Sequence, residues 1–280
     1  MSQNAGLCTI ISHFETALFK ILGVINMLID SHAHLDDSRF DKDREQLIKD
    51  LGNNNIELII NPGSDVATSV KAVSLAQKHE NIYAAIGVHP HEVEDMEDET
   101  IELLRSLSKK DKVVAIGEIG LDYYYDNSPR ELQKKWFREQ IKLAKELDLP
   151  IIIHDRDAHQ DTYDIIKELK DDSLRGVLHC YSGGVELARE FIKLGFYISF
   201  AGPITFKNAK VSKLVAKEIP LEKMLIETDS PYLTPHPHRG KRNEPLYVRF
   251  VAGEIAQLKG ISFEEVMNIT NKNARELFGI

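Results

Sequence analysis

The feature that most limits what this chain can become is its rhythm. From Met27 onward, short β-branched apolar runs alternate with amphipathic stretches eight times. A run that is apolar on both faces marks a strand buried inside a parallel sheet. We read strand cores at 28–30, 57–60, 84–87, 113–116, 151–153, 176–178, 197–200 and 224–226. Parallel strands need crossover helices, and eight βα repeats point to the α/β class and a single (β/α)8 TIM barrel. The clearest helix falls at 129–147, where Ser128-Pro129-Arg130-Glu131 reads as a capping box with Pro at the first helical position. Leu132, Trp136, Phe137, Ile141 and Ala144 form its apolar stripe. After the eighth strand, two additional C-terminal helices are expected at 245–258 and 262–278, divided by Lys259-Gly260. No linker or low-complexity run divides 27–280, so these residues are expected to form one domain. Residues 1–26 match no part of the repeat and are expected to be an N-terminal extension. They could pack as an amphipathic helix through Phe14, Leu18, Ile21 and Leu22, or stay disordered.

In such a barrel the carboxyl ends of all strands converge on one mouth, so residues at different strand ends become neighbours. The first strand runs into Asp30-Ser31-His32-Ala33-His34, and the two-residue period of extended chain aims both imidazoles at one face. Alone, that pair is more often two satisfied histidines than a metal site. Its company alters the balance: Glu118 follows strand four, His154 strand five, His179 strand six, and Glu227 and Asp229 strand eight. His32, His34, Glu118, His154, His179 and Asp229 offer imidazole nitrogens and carboxylates suited to Zn²⁺, Mn²⁺ or Mg²⁺, enough for two ions. Stability alone gives no reason to end buried strands this way, since each polar group there costs desolvation.

Around this set, His89 and His91 on either side of Pro90, Arg156, and the basic turn from Arg239 to Arg242 are candidates to grip phosphates. The bland alternatives are a rigid turn and a solvated loop. Tyr123, Phe206 and Tyr232 fall in βα loops, where they could stack on bases or simply complete local packing. Strand alternation would turn Cys180 away from the mouth and into the core.

Charge narrows the partners. Lys and Arg total 35 against 44 Asp and Glu, a formal net charge of −9, which excludes a static nucleic-acid coat built on counterion release. It leaves room for transient phosphate chemistry if bound metals supply the positive field. Two cysteines, Cys8 and Cys180, cannot make a disulfide framework, so reduced thiols and a cytoplasmic setting are expected. The apolar stretch from Ala17 to Leu28 is broken by Lys20 and Asn26 and falls short of the roughly 20 residues a bilayer demands. It also lacks a basic start and a cleavage site, so neither a membrane span nor a signal peptide is expected. With no apolar stripe beyond what the barrel needs, no obligate protein partner is indicated and monomer is the default.

The motif-bearing segments are Ile29-Asp30-Ser31-His32-Ala33-His34-Leu35, Gly87-Val88-His89-Pro90-His91, Gly117-Glu118-Ile119-Gly120-Leu121-Asp122-Tyr123, 150–158 with His154 and Arg156, His179-Cys180-Tyr181-Ser182-Gly183, Glu227-Thr228-Asp229-Ser230-Pro231, Arg239 through Pro245, and Asn273-Ala274. Across 27–280 this pattern resembles the TatD family of metal-dependent deoxyribonucleases, in the amidohydrolase-like superfamily of barrels. The resemblance implies one divalent ion on His32, His34, Glu118 and Asp229, and a second on Glu118, His154 and His179. It implies Mg²⁺ or Mn²⁺ in function, with Zn²⁺ or Ni²⁺ as possible bound ions. The implied activity is hydrolysis of DNA phosphodiesters, exonucleolytic on single-stranded or frayed 3′ ends, with DNA as a transient partner. The chemistry agrees: two cations sharing Glu118 would acidify a shared water, polarise the phosphoryl oxygen and stabilise the leaving oxygen, and Asp229 could accept the water's proton. Two other readings stay open. An amidohydrolase could open a small amide, lactone or phosphotriester with the same metals, although such relatives often carry a carboxylated lysine where this chain has Glu118. An idle barrel that only binds metal or nucleic acid is disfavoured by the complete donor set.

Overall fold

Each of the eight apolar runs forms a strand in the computed structural model, which describes residues 27–280; the expected extension at 1–26 lies outside the described residues. The strands are β1 Leu28–Asp30, β2 Ile56–Pro62, β3 Ile82–Ile86, β4 Val113–Asp122, β5 Ile151–Arg156, β6 Gly176–Leu178, β7 Tyr197–Phe200 and β8 Met224–Ile226. The helices between them are α1 Arg44–Asp50, α2 Val66–Lys78, α3 Asp98–Leu107, α4 Arg130–Glu146, α5 His159–Leu169, α6 Val185–Lys193 and α7 Lys210–Glu218. Beyond β8 come α8 Val248–Lys259 and α9 Phe263–Phe278. Strand order follows the chain and every pairing is parallel. The ring closes where Ser31 N–H donates to Ile226 O at 3.1 Å and Ala33 bridges Ser230. Asp30 reinforces that seam by accepting from the backbone and hydroxyl of Thr228 at 2.9 and 2.6 Å.

The barrel interior is one apolar cluster to which every strand contributes, including Ile29, Ile60, Ala85, Ile152, Val177, Tyr197 and Leu225. Ala274, Leu277 and Phe278 of α9 pack against it and plug the end away from the mouth. Asn273 fixes the plug by donating to Leu221 O and Met224 O at 2.9 and 2.8 Å. On the outer face, a larger cluster joins the alternate strand residues to the helices, with Trp136, Phe137 and Ile141 of α4 buried as their spacing predicts.

Three local expectations need correction. Helix α4 starts at Arg130 with Pro129 at its cap, and Ser128 does not cap it, because the Ser128 hydroxyl donates to His91 O at 2.9 Å. The segment 245–258 begins as a 3₁₀ turn, Pro245–Tyr247, before α8, which ends as expected at Gly260 in the left-handed conformation, φ 67°. Strand β4 does not stop at Ile116. Its register against β5 shifts between Ile116 and Ile119, and pairing resumes to Asp122, so Glu118 lies within the strand. Such an irregularity re-aims a side chain at a barrel rim. Glycines permit it: a Cβ on Gly120, whose φ is 147°, would lie 1.9 Å from His154 O, and one on Gly117 would lie 2.6 Å from Ile152 Cβ. No helix among the described residues is long and apolar enough to cross a membrane.

Candidate metal centre

Strand periodicity carries the interior side of the barrel into the mouth. Ile152 lines the interior, so His154, two residues further along β5, faces the same way, and His179 directly follows β6 with its N–H donating to Ile153 O at 3.0 Å. Together with His32, His34, Glu118 and Asp229 they converge there. Glu118 sits at the middle, and its two oxygens face different groups. Oε2 lies 3.3 Å from His32 Nε2 and 3.7 Å from His34 Nε2. Oε1 lies 2.9 Å from His154 Nδ1, 3.2 Å from His179 Nε2 and 3.7 Å from His89 Nε2. Asp229 Oδ1 completes the first group, 3.8 and 3.6 Å from the His32 and His34 nitrogens, which are 3.2 Å apart. Donor atoms around a tetrahedral ion at about 2.1 Å lie roughly 3.4 Å from one another, the same range. Among the described residues, the ion-pair partners of Glu118 and Asp229 are histidines only. A buried carboxylate and a part-buried one with no Lys or Arg to pair with call for a cation, and the donors fit a divalent one in three overlapping clusters: His32, His34 and Asp229; His32, Glu118 and His179; and His89, Glu118 and His154.

Behind the histidines stand two further buried carboxylates. Asp122 Oδ2 lies 2.9 Å from His154 Nε2, leaving Nδ1 to face Glu118. Glu227 Oε1 lies 2.9 Å from His179 Nδ1, leaving Nε2 to face Glu118. Each pairing fixes ring orientation and tautomer, as carboxylates behind metal-binding histidines do. Burial works to lower both imidazoles, but Asp122 with Glu118 raises His154 overall, and Glu227 with Glu118 holds His179 well above the ordinary range. Burial also opposes the charged form of His34, yet the Asp229 hydrogen bond and charge push it up to about 9. His32 is lowered by burial and by the facing His179. Burial would raise Glu118 and Asp229, but the surrounding imidazoles hold Glu118 well below, and His34 holds Asp229 below, the usual carboxylate range.

The other candidates divide. His89 Nδ1 accepts the His91 backbone N–H at 3.1 Å, so the neutral ring carries its proton on Nε2, aimed at the Glu118 side; burial, then His154, keeps its pKa well below the imidazole norm. His91 Nε2 is engaged with Asp122 Oδ2 at 2.9 Å. The Arg156 guanidinium rests on the rings of Tyr124 and Tyr125, 4.0 and 4.6 Å from their centroids. In the basic turn, Arg242 pairs with Asp43 and Glu244, Arg239 is exposed and covers Phe206, and Lys241 is exposed. Tyr123 is spent on local structure, its hydroxyl donating to Asp161 at 2.6 Å beneath Arg130. Tyr232 is exposed, with its ring 6.1 Å from that of His34. Cys180 is not a core residue. Strand β6 ends at Leu178, Cys180 takes a left-handed φ of 41°, and its side chain is half-buried, with burial raising the thiol pKa. Sequence reasoning missed the roles of Asp122, Glu227, Tyr124 and Tyr125, although the first two stand inside motifs that contain ligand candidates.

Comparison with known proteins follows the same lines. The family described as TatD related DNase matches residues 29–279. An uncharacterized metal-dependent hydrolase, YabD, of Bacillus subtilis (strain 168) is 51% identical over 254 residues, spanning 91% of this chain and 100% of its own length. Another, YcfH of Escherichia coli (strain K12), is 40% identical over 256 residues, 90% of this chain and 96% of that one. The crystal structure of YjjV, a TatD homolog from Escherichia coli K12, superposes with a TM-score of 0.86 at 31% identity, covering 91% of this chain and 99% of that one.

Proposed function

Because this chain belongs to the TatD related DNase family of metal-dependent hydrolases, we propose that it is a divalent-metal-dependent deoxyribonuclease, exonucleolytic on single-stranded or frayed 3′ ends. The observation that carries the proposal is the divided Glu118 carboxylate, with Oε2 turned to His32 and His34 and Oε1 to His154 and His179. One carboxylate facing two donor groups is what a two-ion phosphodiesterase requires. On this reading His32, His34, Glu118 and Asp229 would hold one ion, and Glu118, His154 and His179 the other, with Mg²⁺ or Mn²⁺ in function. Bound there, the ions would supply Lewis-acid polarisation of a phosphoryl oxygen and acidify a water.

The chain's own residues would do the rest. Asp229, kept ionised by His34, would accept the attacking water's proton. His89, with its proton on Nε2, would donate to a phosphate oxygen. Asp122 and Glu227 would keep His154 and His179 in register. We further propose that the protein works as a cytoplasmic monomer, with DNA as its transient partner.

The test is an assay on 5′- and 3′-labelled strands with Mg²⁺, Mn²⁺ or Zn²⁺ and a chelator control, beside a lactone and a phosphotriester. Metal-dependent shortening of DNA from the 3′ end is expected, and Glu118→Gln should abolish it while the variant stays folded by circular dichroism. Turnover of the small esters alone would overturn the nuclease reading in favour of an amidohydrolase.

A further inference from the structure

The exposed aromatic side chains of this protein are not scattered. Among the described residues there are three, Tyr124 at 59% exposure, Tyr125 at 56% and Tyr232 at 47%, and all three stand on loops at the mouth of the barrel. They form two platforms. Tyr124 and Tyr125 follow β4 and share Arg156 from the end of β5. Tyr232 follows β8 and carries Arg39, from the loop after β1, 4.2 Å above its ring centroid. With strands ordered β1 to β8 around a closed ring, the β4–β5 rim lies opposite the β8–β1 rim. The donor cluster lies between.

Each platform is tied to that cluster. Asp122, whose Oδ2 meets His154, also accepts with Oδ1 from the backbone N–H groups of Tyr124 and Tyr125 at 3.0 and 2.8 Å. The Tyr125 ring stands edge-on to His91, 5.4 Å between centroids. Opposite, Tyr232 N–H donates to Asp229 O at 2.8 Å, and its ring stands edge-on to His34. The platforms are therefore fixed in position relative to the residues that would handle a phosphate.

We propose that these are two nucleobase subsites: a single strand crosses the mouth with its scissile phosphate at Glu118, one flanking base stacked on Tyr124–Tyr125 and another on Tyr232. The inference rests on the nuclease reading above and deepens it. Tyrosine and guanidinium faces take flat π-systems without regard to sequence, and a base can use them only when it is free of its own duplex stack. Charge favours the same ligand. A protein at −9 gains little from a long run of phosphates, so its hold on a strand must come from stacking and from the centre itself.

The test uses the full chain and four variants: Tyr124→Ala with Tyr125→Ala, Tyr232→Ala, and the two corresponding Phe replacements. Binding of a fluorescein-labelled hexadeoxythymidylate is read by anisotropy in chelator, and KM for the same strand with Mg²⁺ and Mn²⁺. A parallel strand carries abasic sites flanking the scissile position. Each alanine variant should weaken Kd or raise KM about 5- to 100-fold, the Phe variants should recover most of that, and the loss should shrink several-fold on the abasic strand. Alanine variants that bind and cleave like the parent, or that lose equally on normal and abasic strands, would overturn the two subsites while leaving the nuclease reading intact. A parent protein that neither binds nor cuts any strand would overturn both.

Discussion

Replacing Glu227 tests whether the metal centre depends on the carboxylates behind it. Glu227 Oε1 faces His179 Nδ1 at 2.9 Å and accepts from the Cys180 N–H at 2.7 Å, while Oε2 accepts from the Ser199 hydroxyl at 2.7 Å. Alanine leaves the Cys180 N–H and His179 Nδ1 without their partner, while the Ser199 hydroxyl keeps Ser31 Oγ at 3.4 Å. At about 1–3 kcal/mol for each orphaned group, the metal-free protein should lose roughly 2–6 kcal/mol. Freed from its partner, His179 should also cost about 10- to 100-fold in metal affinity. Glu227→Gln keeps an acceptor for both Cys180 and His179 and removes only the charge, so its effect should be smaller and should depend on pH. Glu227 is foremost among the groups that offset burial and hold the His179 pKa above its unfolded value. That contribution is fully present below the unfolded pKa of about 6.5 and is lost as pH rises through the raised folded value. The Gln variant should therefore be more destabilised near about pH 6 than near about pH 10. Thermal melts of metal-free protein at the two pH values and chelator-competition titrations with Zn²⁺ and Mn²⁺ read both quantities. An alanine variant that binds metal within about threefold of the parent would refute the orienting role.

Three more outcomes follow from the geometry. Gly120→Ala forces a Cβ against His154 O at a φ of 147°, so it should cost at least about 2–3 kcal/mol in a denaturant titration; a neutral result would mean β4 can shift away from β5. In the metal-free protein His34, at about 9, and the raised His154 and His179 hold protons that a bound ion must displace, so metal affinity should climb with pH from about 6.5 to 9; a Kd flat over that window, measured by calorimetry in several buffers, contradicts this. Arg242→Ala breaks part-exposed pairs with Asp43 and Glu244, so it should cost under about 1 kcal/mol and leave the salt dependence of the proposed DNA binding unchanged; a slope reduced by about one unit would make Arg242 a phosphate contact.

The fold was largely legible because its signal is local and repeated. Each strand must be apolar on both faces, and each run announces itself without knowledge of its neighbours. Where the reading failed, a partner distant in sequence had decided the outcome. Ser128 has the right type and position for a cap, but His91 O, 37 residues away, takes its hydroxyl. Within the basic turn, Arg242 is paired by Asp43, 199 residues away, which a run of basic residues does not announce. For Cys180 the error was one of range: alternation holds only while the strand lasts, and β6 stops at Leu178.

The site shows the same boundary more sharply. Residue type and strand-end position suffice to collect the histidines and acids, because the carboxyl end of every strand in a barrel points to one mouth. They do not say which acid would face an ion and which would face a histidine. Glu227 and Asp229 are two residues apart, which in a continuing strand would put them on one side as equals. Instead β8 ends at Ile226 and Asp229 takes a left-handed φ of 55°, so Asp229 turns to His32 and His34 while Glu227 stays behind His179. Glu118 gains its central place the same way, through a register shift that two glycines permit and no periodicity announces. A motif thus delivers donors to the mouth, and backbone irregularities at the strand ends assign their parts. It follows that changes to glycine and turn positions such as Gly120 should damage the centre as severely as changes to the donors themselves, without removing a single donor atom.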